Sequence, residues 1–396
     1  MTFCNLAGSA PWRRWIACVL LGLAACGGGV ETGGTGTGAY VQGPISGFGS
    51  VIVAGVRFDD AAAVIDDRDG AVRSRDDLRL GMLVEVESGP IVDDGSGGRA
   101  ATATRVRLAS ELLGPVTSLD LATAHLNVLG QPVRLTLATV VEGVNGGASG
   151  LQIGDVVEVH GFFAPVEGYV ATRLERRGTA PAAYRVRGVV SELDVAARTL
   201  RVGLQGFDLA AVGVPAGLAN GDFVRMGLQT TQVGGRWHVT SVSIDKGSAG
   251  DRAEAELEGL INAFTSATQF SVNGVRIDAT HANFVDGSAG LGEGVRVKVR
   301  GHSQGGILVA DTVDIRSDAD AFGDGIDLRA LITAVDSVAQ TFTLRGVTIF
   351  YGSQPAPRFD GGTAADIAVG RRVRVRAMLA ADRTRVIAER IEFVNN

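Results

Sequence analysis

Leu151-Gln-Ile-Gly-Asp-Val-Val-Glu-Val159 is one copy of a motif that occurs five times in this chain. Each copy places a glycine before alternating apolar residues, and the five glycines are Gly81, Gly154, Gly221, Gly292 and Gly370. A second motif precedes each copy, a small residue that opens an apolar strand, at Gly43, Gly114, Gly188, Gly259 and Ala330. These openings are 71, 74, 71 and 71 residues apart. A period this regular predicts a tandem-repeat protein.

Valine-rich alternation between glycine turns predicts β-strands throughout the chain. Each unit contains about five such strands, and its first hairpin turns at a glycine in all five units: Gly55, Gly130, Gly206, Gly274 and Gly346. No stretch sustains the spacing of an amphipathic helix. The sequence therefore predicts an all-β fold of five tandem small barrels.

Glycine-rich and acidic stretches predict the boundaries of the chain's segments. These segments are a signal peptide (1–25), a glycine-rich tether (26–39) and five β-repeats (40–110, 111–178, 184–246, 254–317 and 326–396). The short links between repeats favour a rod in which each repeat contacts its sequence neighbours. A closed β-propeller is the alternative, although a propeller blade usually has only ~40–50 residues.

The N-terminus has the pattern of an export signal. Arg13 and Arg14 precede an apolar run over 15–23, which is shorter than the ~20 residues a membrane-spanning helix needs. The run ends in Leu23-Ala-Ala-Cys26, which resembles the bacterial lipobox. That resemblance implies cleavage before Cys26, a diacylglycerol on its thiol and an acyl chain such as palmitate on its amine. A plain signal peptide with an incidental cysteine is the alternative.

The residues after Cys26 add to the lipoprotein hypothesis. The segment 27–38 reads GGGVETGGTGTG, a flexible tether that would hold a folded body away from a membrane. Gly27 stands where enteric bacteria place the aspartate that retains lipoproteins in the inner membrane. We therefore expect an outer-membrane lipoprotein, on the periplasmic or the surface face, with the membrane as its first partner.

Processing would leave no free cysteine, because Cys4 and Cys18 leave with the signal and Cys26 carries the lipid. Disulfide, thiolate-metal and cysteine-nucleophile chemistry are then excluded. The signal contains Arg13 and Arg14 and no acidic residue, so its loss takes the formal charge from −6 to −8. An acidic exported protein is a poor candidate for a nucleic-acid partner.

The repeated motif resembles a known family. Unit 2 shows it as Leu151-Gln-Ile-Gly154-Asp-Val-Val157-Glu-Val159-His-Gly161, followed by Gly168-Tyr-Val-Ala171-Thr-Arg-Leu174. It is similar to the bacterial domain-of-unknown-function family 5666, which is often found as tandem copies in lipoproteins. The resemblance implies small barrels like OB-folds. Because that family has no assigned activity, the resemblance brings no catalytic residues and no cofactor.

A few residues remain as candidates for chemistry. The histidines (His125, His160, His238, His281 and His302) fall at unrelated repeat positions, which favours incidental surface or edge residues over metal ligands. The acidic clusters 66–70 and 318–324 resemble the start of a calcium loop, but solvated turns are the better interpretation. Trp237, the one tryptophan left after processing, is expected to cap a barrel core, with a tentative ligand patch for sugars as the alternative.

These observations predict no enzyme, no metal site and no cofactor. The leading hypothesis is a lipid-anchored envelope protein whose barrels act as a binding or structural scaffold for envelope proteins or polysaccharide. An array of modules that bind glycans or cell-wall polymers is the second hypothesis. A hydrolase that uses paired carboxylates is the third, because nothing in the sequence places two acids opposite each other.

Overall fold

A computed structural model describes residues 38–95, 98–245, 250–317, 325–380 and 386–394. The expected signal peptide, Cys26 and the tether up to residue 37 lie outside the described residues, as does the acidic cluster 318–324. Residues Thr35–Asn396 form one compact unit. Within the described ranges the chain consists of β-strands and short 3-10 turns without an α-helix, so the all-β prediction is confirmed. In these ranges no helix has the length and apolar character needed to cross a membrane.

The strands form five barrels in chain order. Barrel 1 contains β1 (Ala39–Phe48), β2 (Val51–Val53), β3 (Val56–Asp59), β4 (Val64–Asp67), β5 (Leu83–Ser88), β6 (Val92–Asp93) and β7 (Arg99–Leu108). Barrel 2 contains β8 (Leu112–Asp120), β9 (His125–Val128), β10 (Gln131–Glu142), β11 (Val156–Ala164) and β12 (Gly168–Arg176). Barrel 3 contains β13 (Tyr184–Asp194), β14 (Thr199–Val202), β15 (Gln205–Asp208), β16 (Phe223–Val233) and β17 (Arg236–Ile244). Barrel 4 contains β18 (Arg252–Ser266), β19 (Gln269–Val272), β20 (Val275–Asp278), β21 (Asn283–Phe284), β22 (Arg296–Gln304) and β23 (Ile307–Arg316). Barrel 5 contains β24 (Ile326–Asp336), β25 (Thr341–Leu344), β26 (Val347–Phe350), β27 (Arg358–Asp360), β28 (Arg372–Leu379) and β29 (Val386–Phe393).

Strand order identifies each barrel as OB-like. In barrel 3, β13 pairs antiparallel with β14, and β14 with β15. β15 then pairs parallel with β17, β17 antiparallel with β16, and β16 antiparallel with β13, which closes the ring. The other barrels have the same five pairings. This is the five-stranded barrel of an OB-fold, as the sequence predicted.

The recurrent glycine before the fourth core strand has a fixed structural role. Its backbone N–H donates to a carbonyl of the first strand over 2.8 Å in every barrel, with the glycines Gly81, Gly154, Gly221, Gly294 and Gly370. All five glycines have positive φ, between 78° and 94°. A side chain would be strained in that conformation, so this position selects glycine.

Two glycine assignments from the sequence are wrong by a few residues. In barrel 4 the recurrent hydrogen bond is made by Gly294, and the predicted Gly292 lies two residues before it. In barrel 3 the hairpin between β14 and β15 turns at Gly203, whereas the predicted Gly206 lies inside β15. Glycine is so frequent in this chain that the repeat spacing alone does not distinguish the structurally required glycine from another glycine two or three residues away.

The opening residue is a glycine in four repeats, where the first strand passes close to the second strand or to the turn that follows it. A Cβ added to Gly188 would lie 2.2 Å from Val202 Cγ1, and one added to Gly114 would lie 2.5 Å from a Leu129 side-chain atom. The glycine at this position therefore leaves room for a neighbouring side chain in the wall of the barrel.

Two hydrophobic cores extend across pairs of barrels, and barrel 4 has a core of its own. Buried residues of barrels 1 and 5 form one cluster, and those of barrels 2 and 3 form another. A small cluster joins barrels 1, 2 and 4 and consists of Leu83, Ala109, Phe162, Ala164, Val170 and Leu260. Because apolar burial continues between barrels, the repeats stabilise one another.

Strand β1 links barrels that are distant in sequence. Its first half pairs parallel with β18 of barrel 4, from Ala39↔Glu254 to Gln42↔Leu257. Its last two residues pair parallel with β24 of barrel 5. The expected rod is therefore wrong, because barrel 1 contacts barrels three and four repeats away. The propeller alternative is also wrong, since every repeat closes on itself.

Candidate functional site

The candidate site is a group of charged side chains where barrels 1, 2 and 3 meet. Arg187 on β13 lies at its centre, with only 4% of its side chain exposed. Its Nη1 donates to Glu111 over 3.0 Å, and its Nε donates to Asp245 over 2.6 Å. The Glu111 side chain is 2% exposed and belongs to the start of barrel 2. Barrels 2 and 3 therefore share a buried ion pair.

Barrel 1 joins the same network through Arg68, which follows β4. Its Nη1 donates to Asp245 over 2.8 Å, and its Nη2 contacts Glu85 on β5. Asp245 thus accepts hydrogen bonds from Arg68 and Arg187, and a single carboxylate bridges barrels 1 and 3.

Burial and ion pairing shift the pKa of Arg187 in opposite directions. Burial alone lowers the pKa of the Arg187 guanidinium, but the carboxylates of Glu111 and Asp245 outweigh it. The resulting pKa is above the ordinary value for arginine, so Arg187 remains charged. The Tyr169 hydroxyl donates to the carbonyl of Arg187, which fixes the backbone at this position.

A second group of charges continues from the first toward the surface. Asp69 accepts from Arg185 Nη2 over 2.6 Å and from Arg225 Nε over 3.0 Å. Arg225 Nη1 also donates to the carbonyl of Ser110 over 3.0 Å. Burial is the largest cause that lowers the pKa of Arg225, and repulsion from Arg185 and Arg68 adds to it, while the hydrogen bond and the charge of Asp69 oppose the lowering. This group is richer in positive charge than the first.

The acidic cluster 66–70 organises the barrel 1 side of the site. Asp66 accepts from Arg105 and Arg107 over 2.7 and 3.2 Å, and Asp67 accepts from Arg73 over 2.7 Å. Asp66 and Asp67 are each only 6% exposed. The interpretation of this cluster as a solvated turn is therefore wrong for Asp66 and Asp67, whereas Asp69 and Gly70 are exposed. Its carboxylates bind arginines, and the described residues contain no group of His, Cys, Asp and Glu that could hold a metal ion.

Two clefts adjoin these charges. One, of about 420 Å³, lies between barrel 3 and the turn after β4. The other, of about 300 Å³, reaches barrel 4 at Asn273 and Val275. Arg68, Arg225 and Ser243 line both clefts. The two clefts therefore form a continuous polar surface beside the buried network.

Trp237 and the histidines do not line either cleft. Trp237 is 5% exposed, belongs to the core shared by barrels 2 and 3, and packs edge-on against Tyr184 with ring centroids 5.4 Å apart. It caps the core as expected. Stacking on a sugar would need an exposed face of the ring, and the ligand patch at Trp237 stays a prediction.

One histidine differs from expectation. His160 on β11 is 1% exposed and its Nδ1 has no hydrogen-bond partner among the described residues. Burial lowers its pKa to about 4. It is therefore a neutral core residue, whereas His125 is exposed as predicted and His238 contacts Asp208 over 3.2 Å.

Sequence reasoning missed the arginines and acids of the site. A charge within an apolar strand was the available signal, since Arg187 lies between Val186 and Gly188-Val-Val190. Its partner Glu111 is 76 residues away in sequence, and no spacing rule connects the two. The arrangement binds the barrels together, and its carboxylates are occupied by guanidinium groups.

Comparison with known proteins gives a family-model match over part of the chain but no activity. The family model of a domain of unknown function, DUF5666, matches residues 114–175, 258–314 and 329–392, which lie in barrels 2, 4 and 5. No curated protein matches. Among solved structures, Drosophila Unr CSD456 is similar at 15% identity over 55% of this chain and 98% of that chain, with a TM-score of 0.13.

Proposed function

We propose that this chain, which carries three DUF5666 domains among its five OB-like barrels, is a lipid-anchored protein of the bacterial cell envelope. In this proposal the barrels form a non-enzymatic scaffold that binds or positions other envelope components. The observation that carries it is the network of Arg187, Glu111, Asp245 and Arg68, which holds three barrels in one arrangement. A fixed arrangement of barrels suits a scaffold, because it presents several surfaces at constant spacing.

The side chains at the barrel junction support a structural use over a catalytic one. A general acid or base needs a carboxyl group that is free to exchange a proton with substrate. Here Asp245 is held between two guanidinium groups, and Glu111 is buried against Arg187. Both carboxylates are therefore occupied by guanidinium groups that stabilise contacts between barrels.

Lipid anchoring through Cys26 is supported by the sequence before barrel 1. The basic and apolar segment, Leu23-Ala-Ala-Cys26 and the glycine-rich stretch that follows occur in the order of a lipoprotein precursor. Strand β1 begins at Ala39, directly after that stretch. A lipid at Cys26 would therefore tether the barrel that contacts both barrel 4 and barrel 5.

Cysteine substitutions test the anchor. We expect Cys26→Ala to abolish labelling by radioactive palmitate and to move the protein from the membrane fraction to the soluble fraction. Cys18→Ala is the matched control, because it removes a thiol from the apolar run and leaves the lipobox intact. Globomycin, which inhibits the lipoprotein signal peptidase, should cause the precursor to accumulate. Membrane association that persists unchanged in Cys26→Ala and under globomycin would overturn the proposal.

The scaffold role is tested by crosslinking in intact cells. A photoreactive residue at an exposed position such as Val338 or Val166, which are 95% and 87% exposed, should capture a discrete envelope partner. Arg187→Met should reduce that capture, because it weakens the arrangement of the barrels. Release of a chemically altered product from envelope material, with no stable crosslink, would contradict the scaffold and favour an enzyme.

A further inference from the structure

We propose that the cleft of about 420 Å³ between barrel 3 and the turn after β4 binds the oxyanion of a small polyhydroxylated molecule, such as an acidic sugar or a sugar phosphate. The site is formed by Arg68, Arg185 and Arg225, with hydroxyl groups from β17 opposite them. The lipid proposed on Cys26 takes no part in this site. A failed test of the site would therefore leave the proposed anchor unaffected, and the reverse also holds.

An unsatisfied donor is the first observation. Arg225 is 8% exposed and lines the cleft, and its Nε and Nη1 are hydrogen-bonded to Asp69 and Ser110. Its Nη2 is buried and has no partner among the described residues. A buried donor without an acceptor costs free energy, roughly 1–3 kcal/mol, so a ligand acceptor that reaches this nitrogen from the cleft would be favoured.

The charge balance is the second observation. The cleft lining contains three arginines, Arg68, Arg185 and Arg225, and a single carboxylate, Asp69. Asp69 is shared, because it accepts from both Arg185 and Arg225. Arg68 is already paired with Glu85 and Asp245, and Arg185 also lies 3.6 Å from Glu158, whereas Arg225 has Asp69 as a shared partner. An anion placed between the guanidinium groups would relieve their mutual repulsion.

The arginines are also held in place before any ligand arrives. Arg185 Nη1 donates to Ser110 Oγ over 2.7 Å, and Arg68 is fixed by Glu85 and Asp245. Guanidinium groups recognise carboxylate and phosphate in planar, paired geometry. Since their side chains are already ordered, binding would cost little side-chain entropy.

The opposite wall is polar in a way that suits a sugar. Thr240, Ser241 and Ser243 line the cleft from β17, and Tyr184 lines it from β13. Hydroxyl groups both donate and accept hydrogen bonds, as sugar hydroxyls do. The volume falls within the roughly 300–1,000 Å³ of small-ligand sites. A sugar that carries one acidic group would match both walls.

Calorimetry on the full-length chain in detergent tests the proposal with three probes of similar size: glucuronate, glucose 6-phosphate and glucose. We expect one or both anions to bind and glucose to bind at least about tenfold more weakly, since it lacks the charge that pairs with arginine. The stronger of the two anions identifies the group that the cleft prefers, carboxylate or phosphate. If neither anion binds at millimolar concentration, or if glucose binds as well as they do, the proposal is wrong.

Variants connect that binding to the cleft. Arg225→Met and Arg185→Met should each weaken anion binding about tenfold or more, whereas Arg201→Met, a matched loss of charge on β14 of the same barrel, should leave it unchanged. Arg185 is less buried than Arg225, with 18% of its side chain exposed. Arg185→Met therefore decides the question if Arg225→Met fails to fold. Equal weakening by Arg201→Met would mean that net charge alone attracts the anion, and would overturn the site.

Discussion

Arg187→Met is the substitution that tests most directly whether buried charge holds the barrels together. Methionine keeps much of the apolar volume of arginine but removes the guanidinium that pairs with Glu111 and Asp245. Asp245 keeps its hydrogen bond from Arg68. Glu111, which is 2% exposed, would be left with an unpaired buried carboxylate. Breaking a buried pair in this way costs about 3–5 kcal/mol, and we expect a loss of that size in the free energy of unfolding.

Urea unfolding followed by tryptophan fluorescence measures the loss. From residue 26 onward Trp237 is the one tryptophan of the chain, so the signal reports barrel 3, which contains Arg187. Arg201→Met is the matched control, because its side chain is 40% exposed and its 3.6 Å pair with Glu192 lies at the surface. We expect the control to cost less than about 1 kcal/mol.

A double substitution separates charge from packing. Arg187 also lies over the ring of Phe223, 4.5 Å from its centroid, and this contact is lost in the single variant. If the unpaired carboxylate is the main cost, Arg187→Met combined with Glu111→Leu should recover most of the stability, since apolar replacement of a buried pair is often neutral or better. The reasoning is refuted if Arg187→Met costs no more than Arg201→Met, or if the double variant is less stable than Arg187→Met alone.

Three further predictions concern single barrels. The pKa of His160 is about 4 in the folded protein and about 6.5 in the unfolded chain, so protonation favours the unfolded state. The contribution of His160 to the free energy of unfolding is therefore complete above pH 6.5. It is lost as the pH falls toward 4, by about 3 kcal/mol in total. Urea midpoints for His160→Gln should therefore vary less over that window than those of the wild type or of His125→Gln, and equal pH profiles would contradict this. Trp237 should emit at short wavelength and resist quenching by acrylamide, because it is buried; ready quenching would show that the ring is accessible. Gly188→Ala would place a Cβ 2.2 Å from a valine methyl and should cost about 1–3 kcal/mol, whereas Gly178→Ala, with no neighbour within 4 Å, should cost much less; similar thermal midpoints would rule out the steric argument.

The barrels themselves could be predicted from the sequence because their determinants are local and repeated. The opening glycine faces the second strand, and the later glycine donates to the first strand with positive φ. Both constraints act within about one repeat, so they appear as a period in the sequence. The prediction missed by two or three residues at Gly292 and Gly206, where another glycine nearby satisfies the backbone requirement.

The candidate site could not be predicted because its residues do not repeat. Arg68 and Asp245 are 177 residues apart, and Arg187 and Glu111 are 76 apart. The sequence marks them only as charges beside apolar residues, a pattern equally typical of a solvated edge. That is why the cluster 66–70 was expected to face water, although Asp66 and Asp67 are buried against arginines.

The sequence alone determined the fold class, the number of repeats and the residues that close each barrel, since strand alternation and glycine geometry are set by neighbours along the chain. The tertiary structure decided which barrels contact one another. Strand β1 pairs with β18 and β24, and Asp245 joins barrel 1 to barrel 3, across separations that no local rule spans. The physical reason is that barrel docking depends on the match of whole surfaces in shape and charge. The burial that turns an arginine–carboxylate pair from a weak surface contact into a strong constraint exists only after the barrels have come together.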